Sequence, residues 1–376
     1  MGRRFPVNDP STMNERLAAF LTREDGTRRA SVAGYEPMTG GYSRIMARAE
    51  VTWSDGSRET VVLRGDPPPG KSMMDTDRGQ EWAVLRALGD AKAVTMPAAR
   101  YYDNTGAHLG TRCIVLDYVA GRSLQAHLND LGLDDLGGGY SRHADDLVDT
   151  MATIHNIDLG VLDGVLVEPT SWDGYIGSLI DRFRLAEAGH VESNPFLRYV
   201  AAWLDAHRPP PLPLRLVHSD FQPANLMVGS DGEHLVIDWE LAHIGDPRED
   251  LGYYNVYSSA LGPNLFAADP ERFLARYRAR TGFGEDAVNM ATMGYFSSLA
   301  AITVYSQVLG GAAAMARGRN AGLMTTYTMN ALTIGHSNFM SGCLAPTPAL
   351  APTPGLAPTP ALAPTPALAP TPAGTG

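Results

Sequence analysis

The chain has 376 residues, 41 acidic against 30 basic side chains, a formal charge of −11 and 44% hydrophobic residues. That composition belongs to a folded globular protein and excludes disordered and fibrous classes. The acidic balance argues against a nucleic-acid partner and against an anionic membrane surface, because both need clustered Lys and Arg.

Two cysteines, Cys113 and Cys343, are too few for a disulfide framework. They fit a reducing cytoplasm, with Cys113 read as a small core residue. Arg3 and Arg4 are followed by no apolar run, so the first ten residues do not read as a signal peptide. In chain order, Met1 to Asp25 reads as a leading helix with Leu17, Phe20 and Leu21 on one face. Strand signals begin at Tyr35. Ile45 to Trp53 and Thr60 to Arg64 flank Ser54-Asp55-Gly56-Ser57, and an Asp-Gly between two such runs predicts a hairpin. Asp66-Pro67-Pro68-Pro69-Gly70 breaks structure. Asp77 to Leu88 has helical periodicity, and Cys113 to Tyr118 reads as a short apolar strand.

Ser123 to about His207 is mostly helical and is stopped by Pro209 to Pro213. A strand-rich stretch follows from Leu214 to Leu241, and the remainder is helical to about Ser341. The most apolar part, Tyr295 to Met315, is interrupted by Ser297, Ser298, Ser306 and Gln307, so it reads as a buried helix rather than a membrane span. From Leu344 the chain repeats Leu-Ala-Pro-Thr-Pro-Ala, and ten of the 27 prolines lie there. Proline fixes φ and removes the backbone donor, so this tail is expected to be extended and polyproline-II-like. The organisation expected is a helical extension (1–34), a β-rich small lobe (35–116), a connector (117–122), a large helical lobe (123–343) and the repeat tail (344–376).

The chemistry lies in Leu216-Val217-His218-Ser219-Asp220-Phe221-Gln222-Pro223-Ala224-Asn225-Leu226-Met227-Val228, followed by Leu235-Val236-Ile237-Asp238-Trp239-Glu240. Two short apolar strands hold a polar loop between them. A hairpin turning at Gly229-Ser230-Asp231-Gly232 returns Asp238 beside Asn225. A carboxylate and a carboxamide oxygen converging there form a half-site for Mg²⁺, which takes oxygen ligands and keeps water and phosphate in its shell. Asp220 stays free to orient and deprotonate a hydroxyl, and phosphoryl transfer needs these parts together. A lone His-x-Asp is commonly a capping pair; the complete string with its distal spacing is what points to a kinase.

His218-Ser219-Asp220 with Asn225, then Ile237-Asp238-Trp239-Glu240, Gly245-Asp246-Pro247 and Asp250-Leu251-Gly252, resemble the aminoglycoside-phosphotransferase-like group of small-molecule kinases. The resemblance runs from about Glu36 to Arg280 and is strongest to the branch found fused to or beside acyl-CoA dehydrogenases. It implies an α+β, bilobal protein-kinase-like fold and an ATP- or GTP- and Mg²⁺-dependent phosphotransferase. By the same resemblance Asp220 matches the catalytic base and Asn225 and Asp238 match the Mg²⁺ ligands. His218 structures the loop, Asp250 is a buried acid bracing it, and Asp246 is structural. Met38-Thr39-Gly40-Gly41-Tyr42-Ser43-Arg44 resembles the family's phosphate loop, with Gly40 and Gly41 admitting phosphate to the backbone and Ser43 as a donor. Arg64 stands where the wider family has Lys; Arg keeps its charge and can grip phosphate bidentately. Glu81 on the next helix is its expected ion-pair partner. Ile114 to Arg122 resembles the connector, where Asp117, Tyr118 and Val119 would meet the nucleobase through main chain.

His155 reads as a structural histidine. Tyr253, Tyr254 and Tyr257 line the acceptor pocket or belong to the core, and Trp172, Asp173, Tyr175, Asp181 and Arg182 lie where such enzymes form the acceptor site. The function expected is transfer of phosphate to a small-molecule hydroxyl, either an aminoglycoside-type antibiotic or a hydroxy acid or hydroxyacyl-CoA. The alternative is a non-catalytic nucleotide-binding or scaffold protein with a docking tail, motivated by Arg64. A protein kinase is disfavoured, because neither Asp-Phe-Gly nor Ala-Pro-Glu follows Asp238.

Overall fold

The computed structural model describes residues 10–38, 45–66, 76–130, 135–189, 195–229, 232–261 and 265–316. Gly40, Gly41, Ser43, Cys343 and the proline-rich tail lie outside these.

The N-terminal part is a five-stranded antiparallel sheet in the order β1-β2-β3-β5-β4, formed by β1 (Ala30–Pro37), β2 (Ile45–Trp53), β3 (Arg58–Gly65), β4 (Ala99–Asp103) and β5 (Cys113–Asp117). The Asp55-Gly56 hairpin joins β2 to β3 with Val51 opposite Glu59. In β2 inward and outward side chains alternate, and Ala47, Ala49, Val51 and Trp53 face the core. Helix α1 (Pro10–Asp25) lays Met13, Leu17, Phe20 and Leu21 on that face, in one cluster with Val61, Leu63 and Val115. The first strand starts at Ala30, earlier than the sequence pattern suggests, so α1 and the residues after it share a core with the sheet. Cys113 is buried there, and burial pushes its thiol up to about 12.

Helix α2 (Arg78–Asp90) crosses the other face and is N-capped by Asp77, whose side chain accepts from the Gly79 N–H. Its Val84, Leu85 and Leu88 join the core of the larger C-terminal part, with Leu147, Phe221, Leu226 and Trp239. That part contains helices α3 (Leu124–Asp130), α4 (Asp135–His155), α5 (Trp172–Ala188), α6 (Pro195–Ala206), α7 (Arg248–Leu261), α8 (Leu265–Ala268), α9 (Pro270–Thr281) and α10 (Met290–Ala316). Strand β6 (Gly121–Ser123) pairs with β8 (Leu226–Gly229), which pairs with β9 (His234–Val236); β7 (Arg215–Val217) pairs with β10 (His243–Gly245). Gly121 is required by this packing, because a Cβ there would lie 2.2 Å from the Val228 carbonyl oxygen.

Helix α10 packs against α5, α6 and α7, burying Phe296, Leu299 and Ile302 with Ile176, Phe183 and Leu204. No helix of the described residues is long and apolar enough to cross a membrane. The architecture is α+β and bilobal, a sheet lobe followed by a mainly helical one, as in protein kinases.

Candidate active site

The site is built on the loop between β7 and β8. Asp250, in the first turn of α7, is fully buried. Its carboxylate accepts the His218 N–H (2.9 Å), the Ser219 N–H (2.8 Å) and His155 Nε2 (3.0 Å). Burial works against its charge, but the His155 hydrogen bond and the other donors outweigh it and hold Asp250 below the ordinary carboxylate range. His155 is held on its other nitrogen by the Tyr277 hydroxyl (2.6 Å), which makes it a structural residue. His218 Nε2 donates to the Ile237 carbonyl (3.0 Å), and its Nδ1 accepts the Asp220 N–H (3.3 Å). Burial lowers the His218 pKa and keeps the ring neutral, as this donor-acceptor pattern needs. Ser219 adopts φ +67°, a strained conformation for a non-glycine residue that the Asp250 clamp sustains.

These contacts present Asp220. Asn225 Nδ2 donates to Asp220 Oδ2 (2.7 Å) and to the Asp220 carbonyl (2.9 Å). Gln222 Nε2 donates to Oδ1 (2.8 Å), and the Tyr253 hydroxyl donates to the same oxygen. Burial, then the negative charge of Asp238, pushes the Asp220 pKa up to about 7, partly offset by those three donors.

The Ile237 N–H donates to the Asn225 carbonyl (3.0 Å), so the β8-β9 hairpin returns Asp238 to the neighbourhood of Asn225. Asp238 has φ +70°, the second left-handed non-glycine residue of the site. The Asn225 amide nitrogen faces Asp220, which turns its Oδ1 the opposite way. Among the described residues no cluster of three or more His, Cys, Asp or Glu is arranged to hold a metal alone. The chemistry of Asn225 Oδ1 and the Asp238 carboxylate, two oxygen donors, fits a hard cation such as Mg²⁺.

Across the cleft, Arg64 on β3 is buried. Its Nε lies 2.9 Å from Glu81 Oε1 on α2, and its Nη2 meets Asp238 and, at 3.0 Å, Glu240. Burial disfavours its charge, but Asp238, Glu81 and Glu240 raise its pKa overall. Glu81 is shared with Arg78, which also holds Asp66 (3.1 Å). Burial raises the Glu81 pKa against the pull of both arginines. The structure thus brings Arg64, Glu81 and Asp238 together, and adds Arg78 and Glu240, whose part in the network the sequence pattern does not reveal. Arg78 stands three residues before Glu81 on one helix, a spacing that puts the two in contact.

Between these walls is a cleft of about 190 Å³ lined by Met46, Val62 and Leu116 from the sheet, Met227, Val236 and Ile237 from the hairpin, and the connector at 117–119. The Asp117 N–H donates to Ala98 (3.0 Å) and the Tyr118 N–H to Thr60 (3.1 Å), while the Asp117 carboxylate grips Arg100 (2.6 and 2.8 Å). Of the three connector N–H groups, Val119's is the one that has no partner among the described residues. Asp246 is fully buried against Arg248 (2.6 Å) and accepts Trp172 Nε1 (2.6 Å). Tyr175 donates to Glu249 (2.5 Å), so Trp172 and Tyr175 fasten α5 to the start of α7. Tyr254 is core; the Tyr257 side chain lies outside the described residues.

Asp238 beside the Arg64–Glu81 pair at an apolar cleft, with Asp220 held on the adjacent loop of a bilobal kinase-like fold, is the arrangement expected of a small-molecule kinase. Residues 45–290 match the phosphotransferase enzyme family, APH, and the chain belongs to that family. It is 27% identical over 305 residues to the "Probable acyl-CoA dehydrogenase IBR3" of Arabidopsis thaliana; the alignment covers 72% of this chain and 36% of that protein, so the chain spans about a third of that relative's length. Among solved structures, it superposes with a TM-score of 0.64 at 17% identity on a protein of Ralstonia eutropha JMP134 named "putative aminoglycoside phosphotransferase", covering 87% of this chain and 97% of that one. The GDP complex of aminoglycoside 2'-phosphotransferase-IIIa gives a TM-score of 0.57 at 14% identity, covering 88% and 99%. At these identities the structural likeness is one of fold.

Proposed function

We propose that the protein transfers the γ-phosphoryl group of a nucleoside triphosphate, ATP or GTP, to the hydroxyl of a small molecule. The observation that carries this reading is the Asp220 carboxylate, fixed by Asn225, Gln222 and Tyr253 and close enough to feel the charge of Asp238, which lines the cleft with Arg64.

In this reading the nucleobase enters between Val62 and Leu116 on one side and Met227 and Val236 on the other, and the Val119 N–H meets its edge. Arg64, held by Glu81, turns its guanidinium from Asp238 to the phosphates. Gly40, Gly41 and Ser43, which lie outside the described residues, keep the phosphate-binding role that the sequence resemblance implies. Asn225 and Asp238 would hold Mg²⁺, which when bound neutralises phosphate charge. Asp220 orients the acceptor hydroxyl and takes its proton. The acceptor oxygen bonds to the γ-phosphorus, the bond to the β,γ-bridging oxygen breaks, and the nucleoside diphosphate leaves. The shifted acidity of Asp220, near neutrality, suits a group that accepts and returns a proton.

The acyl-CoA dehydrogenase relative supports a hydroxy acid or hydroxyacyl-CoA as acceptor over an aminoglycoside. The test is ADP release by purified protein with Mg·ATP across aminoglycosides, macrolides, hydroxy acids and hydroxyacyl-CoAs. Turnover with a hydroxyacyl acceptor, lost in Asp220→Asn, is expected. Turnover with aminoglycosides alone would overturn the acceptor assignment. ATP binding without turnover on any acceptor would favour the scaffold alternative.

A further inference from the structure

We infer that Tyr253 is a positioning residue for Asp220: its hydroxyl, with Gln222, fills Asp220 Oδ1, leaving Oδ2 as the oxygen that receives the acceptor's proton. This rests on the reading of Asp220 as the base.

Each carboxylate oxygen has two lone-pair directions. Oδ1 accepts both the Tyr253 hydroxyl and Gln222 Nε2, whereas Oδ2 accepts Asn225 Nδ2 alone among the described residues. One acceptor position therefore remains, and it is on Oδ2. That oxygen is on the Asn225 side, and Asn225 adjoins the hairpin whose return strand leads to Asp238. An acceptor hydroxyl donating to Oδ2 is thus presented on the side of the carboxylate where the phosphates are expected. A carboxylate free to rotate about its χ2 would exchange the two oxygens; three donors, Gln222, Asn225 and Tyr253 of α7, prevent it.

The anchor for this arrangement is a single helix. Asp250 grips the loop's backbone at 218 and 219, and Tyr253, three residues on and so on the same face of α7, grips its side chain. The distance of α7 from α10 is set by backbone contact, since a Cβ on Gly252 would lie 2.3 Å from the Phe296 carbonyl carbon. Tyr254, the next residue, points into the core and accepts the Leu265 N–H (3.0 Å), so the two tyrosines have different tasks. A phenol is suited to the first task, because a rigid ring carries its donor with little conformational freedom.

The test compares wild type, Asp220→Asn, Tyr253→Phe and the double variant in Mg·ATP hydrolysis without added acceptor, where water supplies the hydroxyl. Tyr253→Phe should lower kcat by roughly ten- to a hundredfold, as misplacement of a reacting group does, with KM for ATP within about twofold. The double variant should be no slower than Asp220→Asn, because the phenol acts only through that carboxylate. Wild-type kcat in Tyr253→Phe, a loss residing in KM, or an additive loss in the double variant overturns the assignment. Full activity in Asp220→Asn overturns the base itself, a different failure. Two readouts do not depend on turnover. In a crystal structure of Tyr253→Phe the Asp220 carboxylate should rotate about χ2, and an unchanged orientation contradicts the role. Phosphate found on Tyr253 by mass spectrometry after incubation with Mg·ATP would place the phenol in the acceptor's path and also contradict it.

Discussion

Replacing Asp250 by asparagine changes one oxygen to an NH₂ group in a fully buried position. The carboxylate accepts three hydrogen bonds, from the N–H groups of His218 and Ser219 and from His155 Nε2. If the oxygen of the new carboxamide keeps the Ser219 N–H, its NH₂ faces the other two donors. Hydrogen bonds to a charged group contribute about 1.5–3 kcal/mol each, so losing two and leaving donors unsatisfied should cost about 3–5 kcal/mol. Ser219 at φ +67° then keeps its own hydrogen bond but loses the support of the neighbouring His218 contact. The loss should appear as a melting temperature lower by roughly 4–8 °C, given the unfolding entropy of a chain of this size. The pH dependence has a definite sign. The folded-state pKa of Asp250 is depressed, so its contribution is present above the unfolded value of about 3.9 and is lost as pH falls through the folded one. Urea denaturation of both proteins at several pH values should therefore give a gap that is full at pH 7 and shrinks in acid. A variant within about 1 kcal/mol of wild type at pH 7, or a gap that does not change in acid, would refute the reasoning.

Arg64→Met removes the cation that Glu81, Asp238 and Glu240 share and should cost about 3–5 kcal/mol in denaturant titration, with Arg64→Lys less damaging; equal stability of Met variant and wild type contradicts the network. Gly252→Ala drives a methyl into the Phe296 backbone and should destabilise by about 1–3 kcal/mol, measured the same way. His243 faces the Leu241 carbonyl with Nδ1 and, with Nε2, a Tyr175 hydroxyl whose proton goes to Glu249, so both ring nitrogens must donate. Burial opposes the charge, but Glu249 outweighs it and raises the pKa. The resulting stabilisation is complete below the unfolded value of about 6.5 and is lost as pH rises through the folded one. NMR titration of the ring should give a pKa above that of a model histidine; one below it contradicts the hydrogen-bond assignment.

The hairpin of β2 and β3 is legible in sequence because Asp55-Gly56 sits between alternating strands. The loop of the candidate site is legible because Asp220, Asn225 and Asp238 are close along the chain and their chemistry is local. Strand β1 is not, since as an edge strand with a register break after Ala33 it buries Tyr35 alone and carries almost no pattern. Strands β6 and β10 have three residues each and exist only through their partners. Tyr253 and Tyr254 cannot be told apart by composition; the i, i+3 relation to Asp250 is the signal that separates them. The connector's resemblance implies main-chain pairing over Asp117 to Val119, yet two of those N–H groups are committed to Ala98 and Thr60, contacts set by the sheet that no local reading supplies.

The most direct measurement is Mg·ATP-dependent phosphate transfer by the wild-type protein, beside Asp220→Asn and Asp238→Asn, with melting curves and nucleotide binding recorded on the same preparations. Turnover confined to the wild type, with both variants folded and Asp220→Asn still binding nucleotide, is the predicted result. Undiminished transfer by either variant would contradict the assignment of these two carboxylates.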